Sequence, residues 1–123
     1  MPRLRASFEA KEGVPSFLQG EKYKHYSITL SLSDMPDDIM TVIYQLDDTY
    51  ANPLRLVTKG VPNFQECITA YGDYTVKIAY RPLRDPNKLE PLLSQRLSDA
   101  LIDNYQGALT EPIRLAIEDI REH

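Results

Sequence analysis

Residues Tyr26 to Ser33 read YSITLSLS and alternate without a break, with Tyr26, Ile28, Leu30 and Leu32 on one side and Ser27, Thr29, Ser31 and Ser33 on the other. A helix would scatter these apolar positions around its circumference. A pleated strand sends successive side chains to opposite faces and gathers them on one. A strand with one apolar and one polar face belongs to an antiparallel sheet that covers a core on a single side. It therefore needs partners of the same kind.

The chain supplies them. Leu4, Ala6, Phe8 and Ala10 alternate with Arg3, Arg5, Ser7 and Glu9, and Tyr74, Val76, Ile78 and Tyr80 alternate with Thr75, Lys77 and Ala79. In IMTVIYQL, Met40, Val42, Tyr44 and Leu46 are expected on one face and Ile39, Thr41, Ile43 and Gln45 on a mixed other face, which marks a central strand. Leu54 to Thr58 and Asn63 to Ile68 are shorter candidates. Turn formers separate the runs: Asp34-Met35-Pro36-Asp37-Asp38, Asn52-Pro53, Lys59-Gly60-Val61-Pro62-Asn63 and Gly72-Asp73. Short strands at this spacing predict a mainly β fold, an immunoglobulin-like antiparallel β-sandwich without the paired cysteines of antibody domains.

Beyond Tyr80 the period changes. Leu89, Leu92, Leu93, Leu97, Ala100 and Leu101 recur at spacings of three and four, which predicts a helix from Leu89 to Asn104 closed by Tyr105-Gln106-Gly107. Thr110, Glu111 and Pro112 predict the start of a second helix, with Ile113, Ala116, Ile117 and Ile120 on one face. The expected organisation is a sandwich over residues 1–82 and a helical extension over 83–123. The apolar stripes of the two C-terminal α-helices need a cover, either the sandwich or another subunit.

Composition sets limits on function. With 123 residues, 42% hydrophobic and 26% charged, the chain matches a single folded domain. Its formal charge of -4, with no basic block, gives no drive toward generic nucleic-acid binding. No apolar run approaches the ~18 residues that suggest a bilayer span. Cys67, the only cysteine, and the lack of a signal-like first segment make the expected location cytoplasmic.

Nothing in the chain has the form of a catalytic or cofactor site. The histidines are His25 and His123, and Cys67 falls in a strand-like run, where a buried inert thiol is expected. Phosphate-binding glycine loops, zinc-spaced Cys/His sets and nucleophile elbows are absent. Asp37-Asp38 and Asp47-Asp48 lack the alternating acidic positions and central glycine of a calcium loop, and read as solvated turns. No metal, cofactor or catalytic residue is expected.

One pattern rises above an ordinary turn. Val42, Tyr44 and Leu46 lead into Thr49, Tyr50 and Pro53, and after Phe64 come Tyr71, Gly72, Asp73 and Tyr74. In order, spacing and residue type, this set resembles the YEATS domain family, most of all its prokaryotic branch, over about Leu4 to Tyr80. The resemblance implies an immunoglobulin-like sandwich whose loops at one end form an aromatic slot for an acylated lysine. Carried over by position, it implies a ligand site of Asp47, Thr49, Tyr50, Tyr71, Gly72 and Asp73. Tyr50 and Tyr71 would supply the aromatic faces, Thr49 a hydroxyl, and the segment from Tyr71 to Asp73 backbone donors. Asp47 stands where eukaryotic members usually carry histidine, and the Asp47-Asp48 pair would favour a basic ligand. The partner so implied is an acylated peptide or small acyl ligand. Tyr50 and Tyr71 as plain packing residues are the alternative at the site. At the level of function the alternative is a scaffold acting through the C-terminal helices, with a protein partner or as a homodimer, in the kind of bacterial defence system to which prokaryotic relatives are often joined.

Overall fold

A computed structural model describes residues 1–123. Strand β5 (Lys24–Ser33) is the spine of the first sheet. On one edge it pairs antiparallel with β1 (Arg3–Phe8), Phe8 opposite Ile28, and further along with β4 (Phe17–Gln19), Phe17 opposite Tyr26. Ser27 links the two stretches: its carbonyl accepts from the Glu9 N–H and its N–H donates to the Ser16 carbonyl, at 2.9 and 3.0 Å. Between them the chain makes a small excursion, the hairpin of β2 (Ala10–Lys11) and β3 (Val14–Pro15). Its turn is made by Glu12 and Gly13, both at positive φ. On the other edge of β5 lies β8 (Glu66–Ala70).

The second sheet contains β6 (Ile39–Gln45), β7 (Leu54–Thr58), β9 (Thr75–Pro82) and β10 (Glu90–Arg96), in the order β10-β9-β6-β7. Two four-stranded sheets, one of β1, β4, β5 and β8 and the other of β6, β7, β9 and β10, therefore make up the sandwich, and the chain crosses between sheets after β5, β7 and β8. This is the strand arrangement of an immunoglobulin-like sandwich. The polar side chains of β5 stay half exposed while Tyr26, Ile28, Leu30 and Leu32 are buried, as the alternation requires. They pack against Val42, Tyr44, Val76 and Ile78 in one core. Tyr44 is fully buried, and its hydroxyl escapes the cost of an unpaired polar group by donating to the Phe64 carbonyl at 2.6 Å.

Helix α1 (Leu97–Asn104) lies over β1, and α2 (Glu111–Arg121) packs on α1 and β3. Leu97, Ala100, Leu101, Ile117 and Ile120 join the same core as the sheets, so the chain itself covers the helical stripes. Tyr105 stacks on Phe8 at 6.2 Å and accepts the Phe8 N–H at 2.9 Å, fixing the end of α1 to β1. No helix is long and apolar enough to cross a membrane.

Three expectations are corrected. The helix expected from Leu89 begins at Leu97, because residues 90 to 96 pair with β9 and carry the second sheet past residue 82. A bulge between Pro91 and Leu93 leaves both Leu92 and Leu93 half buried, which reproduces helical spacing on a strand; Pro91, lacking an N–H, would also weaken a helix interior. In β6 a register shift between Ile39 and Thr41 turns Ile39 inward and leaves Met40 38% exposed, reversing the expected faces at that end. Cys67 is exposed, since Ile68 and Ala70 take the inward positions of β8. Thr110 does precede α2, though its side chain makes no capping bond.

Candidate functional site

The loops after β6 and β8 emerge at one end of the sandwich, beside the start of β5 and the end of α2. They enclose an open cleft of about 500 Å³. Asp47, Thr49, Tyr50, Tyr71, Gly72 and Asp73 all line it, together with His25, Thr69, Tyr74 and His123.

The first loop is shaped by its own polar groups. The Asp47 carboxylate accepts the Thr49 N–H at 3.2 Å and the Thr49 hydroxyl at 2.7 Å, and the Asp47 carbonyl accepts the Tyr50 N–H at 3.1 Å. This is an aspartate satisfying backbone donors two residues on. It delivers Tyr50 to the cleft. The Tyr50 hydroxyl donates to the Thr69 carbonyl at 2.5 Å and accepts from the Tyr74 hydroxyl at 3.0 Å, while the Tyr74 ring meets Tyr50 edge to face at 5.7 Å. Burial is the main reason both hydroxyls titrate above the ordinary tyrosine range. They stay protonated and do not act as bases near neutral pH.

The second loop is held from two sides. Tyr71, 36% exposed, stacks on Tyr23 at 5.1 Å and 6°, and His25 tilts against it at 5.2 Å. Tyr23 in turn meets the His123 ring at 4.3 Å. Gly72 is dictated by close approach: a β-carbon there would lie 2.9 Å from the His123 carbonyl carbon. Asp73 lines the cleft as expected, and its side chain has a further task. Its carboxylate, on a side chain only 6% exposed, accepts the Ser98 N–H at 3.0 Å, the Ser98 hydroxyl at 2.7 Å and Arg96 Nε at 2.8 Å. It thus caps α1, whose own flanking residue Arg96 offers no side-chain cap. The backbone N–H groups of Tyr71, Gly72 and Asp73 donate to no acceptor in the chain.

Sequence reading missed His25 and His123. His25 is positioned by Gly20, where an added β-carbon would stand 2.6 Å from the imidazole Nε2 and 2.9 Å from the Tyr23 carbonyl oxygen. Gly20→Ala is expected to turn the His25 ring away from Tyr71 in a protein that still folds. Loss of the Tyr71 ring-current shift on the His25 Cε1 proton would register it, and an unchanged resonance would refute it.

Of the other candidate groups, Asp38 and Cys67 lie away from the cleft. Asp38 is clamped to Arg84, which also donates its backbone N–H to that carboxylate at 3.2 Å. Cys67 lies opposite Thr29 and lines neither the cleft nor a neighbouring hollow. The histidines in the cleft therefore have no thiol to activate. Asp119, Glu122 and His123 offer three ligand atoms within 4.8 Å of one another at the end of α2, but one Asp119 oxygen already accepts the Tyr26 hydroxyl at 2.7 Å.

No protein-family model matches the chain. No curated protein matches it either. Among solved structures it is similar to YEATS domains. The Yaf9 YEATS domain bound to H3K27ac is 20% identical with a TM-score of 0.49, covering 78% of this chain and 71% of that one. The Yaf9 YEATS domain recognising an H3K122suc peptide is 19% identical at TM-score 0.49, over 78% and 72%. A structure of the yeast AF-9 homolog Yaf9 is 19% identical at TM-score 0.45, over 78% and 70%.

Proposed function

We propose that the chain is a non-enzymatic binding module of YEATS type, of the prokaryotic branch, that reads an acylated lysine or a similar small amide-bearing group in the cleft between Tyr50 and Tyr71. The observation that carries the reading is the run of three unpaired backbone donors, Tyr71 to Asp73, on the wall of an aromatic cleft. An acyl-lysine has lost its charge and keeps a planar amide with an apolar tail. Its carbonyl needs donors, because a buried unpaired polar group costs about 1 to 3 kcal/mol. Its tail gains from aromatic contact.

Preorganisation supports the same reading. Tyr50 is braced by Tyr74 and Tyr71 by Tyr23, so each ring is held by a neighbouring ring and neither stacks on the other. Rings fixed before binding lose little freedom when a ligand arrives. The Asp47 carboxylate adds negative charge to the cleft wall, which suits a ligand with basic neighbours. The scaffold alternative, a partner-binding or homodimeric module of a defence-type system, draws on the side chains of the helical segment that stay exposed, chiefly Leu109 and Leu115 at 45% and 52%.

Calorimetry with acyl-lysine peptides, unmodified lysine peptides and small acyl metabolites tests the proposal. Tyr71→Ala is expected to weaken binding tenfold or more without loss of fold, the size of effect seen on truncating a central aromatic anchor. Tyr50→Ala should behave alike, and Thr49→Val should lose less, since its hydroxyl is already given to Asp47. No binding, or binding that survives both tyrosine truncations, overturns the reading. A parallel run with calcium and Asp47→Asn checks for a metal at the loop.

A further inference from the structure

A second hollow of about 560 Å³ opens beside the cleft, between β3 and β4 on one side and α2 on the other. Val14, Phe17 and Leu115, 51%, 41% and 52% exposed, give it an apolar lining. Single exposed apolar side chains need no explanation, but three converging in a groove do.

The two hollows adjoin each other. His123 lines both, and Tyr23 in the groove stacks on Tyr71 in the cleft at 5.1 Å. That ring separation is about one and a half residues of extended chain at ~3.4 Å per residue. A peptide with one side chain in the cleft would reach the groove by passing its neighbouring residues over the Tyr23 and His123 rings.

Charge gives the trough a direction. On the cleft side Asp47 forms no ion pair, and its carboxylate is engaged only by Thr49. On the groove side Lys22 and Lys24 have no carboxylate partner, and Lys24 Nζ lies 4.8 Å above the Phe17 ring. The groove's own acid, Asp119, is occupied by the Tyr26 hydroxyl and faces His123 at 3.6 Å.

We propose that cleft and groove together bind one extended peptide, with a basic residue beside Asp47 and an apolar residue next to an acidic one in the groove at Phe17, Leu115 and the two lysines. The identity of the residue in the cleft rests on the function proposed above; the trough itself rests on the adjacency of the two hollows and on the charges.

The test is fluorescence anisotropy with a labelled peptide library whose central residue is acetyl-lysine, lysine or norleucine and whose flanks vary, alongside a single capped acetyl-lysine as competitor. Flanks that are apolar and acidic on one side and basic on the other are expected to bind at least tenfold tighter than the same residues scrambled. Leu115→Asp, or Lys22→Glu with Lys24→Glu, should erase that gain and leave the single-residue ligand unchanged; Tyr71→Ala should weaken both. Single-residue binding that persists while flanks and groove variants make no difference overturns the trough and leaves the acyl-lysine reading standing. Flank-dependent, Leu115-sensitive binding without preference for the acetylated centre does the reverse. Failure of every library member to bind overturns both.

Discussion

Leu97→Asp is expected to unfold the protein at room temperature. Leu97 has no exposed surface, opens α1, and donates its N–H to the Tyr74 carbonyl at 2.8 Å, so its side chain lies where helix, first sheet and second sheet meet. The substitution removes a core side chain, worth about 2 to 5 kcal/mol as leucine to alanine. It also puts a carboxylate where no cation can reach it. Together these approach the whole stability of a small domain, about 5 to 15 kcal/mol. Far-ultraviolet circular dichroism and a thermal melt would show the loss. Leu97→Ala should fold with a clearly lower melting temperature, and Leu115→Asp, on the exposed side of α2, should melt within a few degrees of the parent. An unchanged melt for Leu97→Asp would mean that α1 is not docked as described.

Replacing Asp73 is expected to have the second largest effect. Asp73→Ala leaves the Ser98 N–H and hydroxyl without their acceptor, and Ser98 is fully buried. Loss of a helix cap and of charge-assisted bonds puts the cost at about 2 to 3 kcal/mol, read as a lower denaturant midpoint. The effect depends on pH. Burial alone would raise the Asp73 carboxyl, but the bonds from Ser98 and Arg96 outweigh it and hold it below the ordinary aspartate value. A carboxyl depressed on folding contributes its full stability above its unfolded value, near pH 4, and loses it as pH falls through the lower folded value. Asp73→Asn should therefore flatten the fall in stability below about pH 4 while changing the slope little from pH 6 to 8. Parallel acid limbs for the two proteins would rule out this role.

The parts of the fold that could be read from sequence are those whose packing repeats locally. β5 announces itself because one face of it meets the core at every second residue over its length. β6 misleads at Met40 because the bulge that reverses its faces arises from pairing with β9, some forty residues on, and leaves no mark within β6 itself. β10 was hidden for a related reason: a bulge makes adjacent leucines half buried, and only the neighbouring strand reveals which period applies. The reading of Cys67 as buried placed it one residue out of phase with Ile68.

The site divides in the same way. The two loops that carry Asp47 to Tyr50 and Tyr71 to Asp73 each follow a strand, and they were paired through the family resemblance that the order of their residues carries. His25 and His123 come from the start of β5 and the end of α2, and only the docking of the helices brings them to one cleft. Asp73 was visible as a turn residue. Its task as a cap lies with Ser98, 25 positions further along the chain, beyond anything local spacing conveys.

The Asp73 link has a consequence for how occupancy of the cleft would be felt elsewhere. The loop proposed above to offer its backbone to a ligand is the same loop that holds the first turn of α1 through Asp73, so the two places are coupled. A ligand that fastens Tyr71 to Asp73 slows the fraying of that turn, and a helix that frays loosens the grip on the ligand, by equal free energies in both directions. In hydrogen–deuterium exchange, the slowest amides to gain protection on binding should include those of Ser98 to Ala100, which a cleft-bound side chain does not touch. The cleft would then report its state through the helix, as a latch reports through the door it holds.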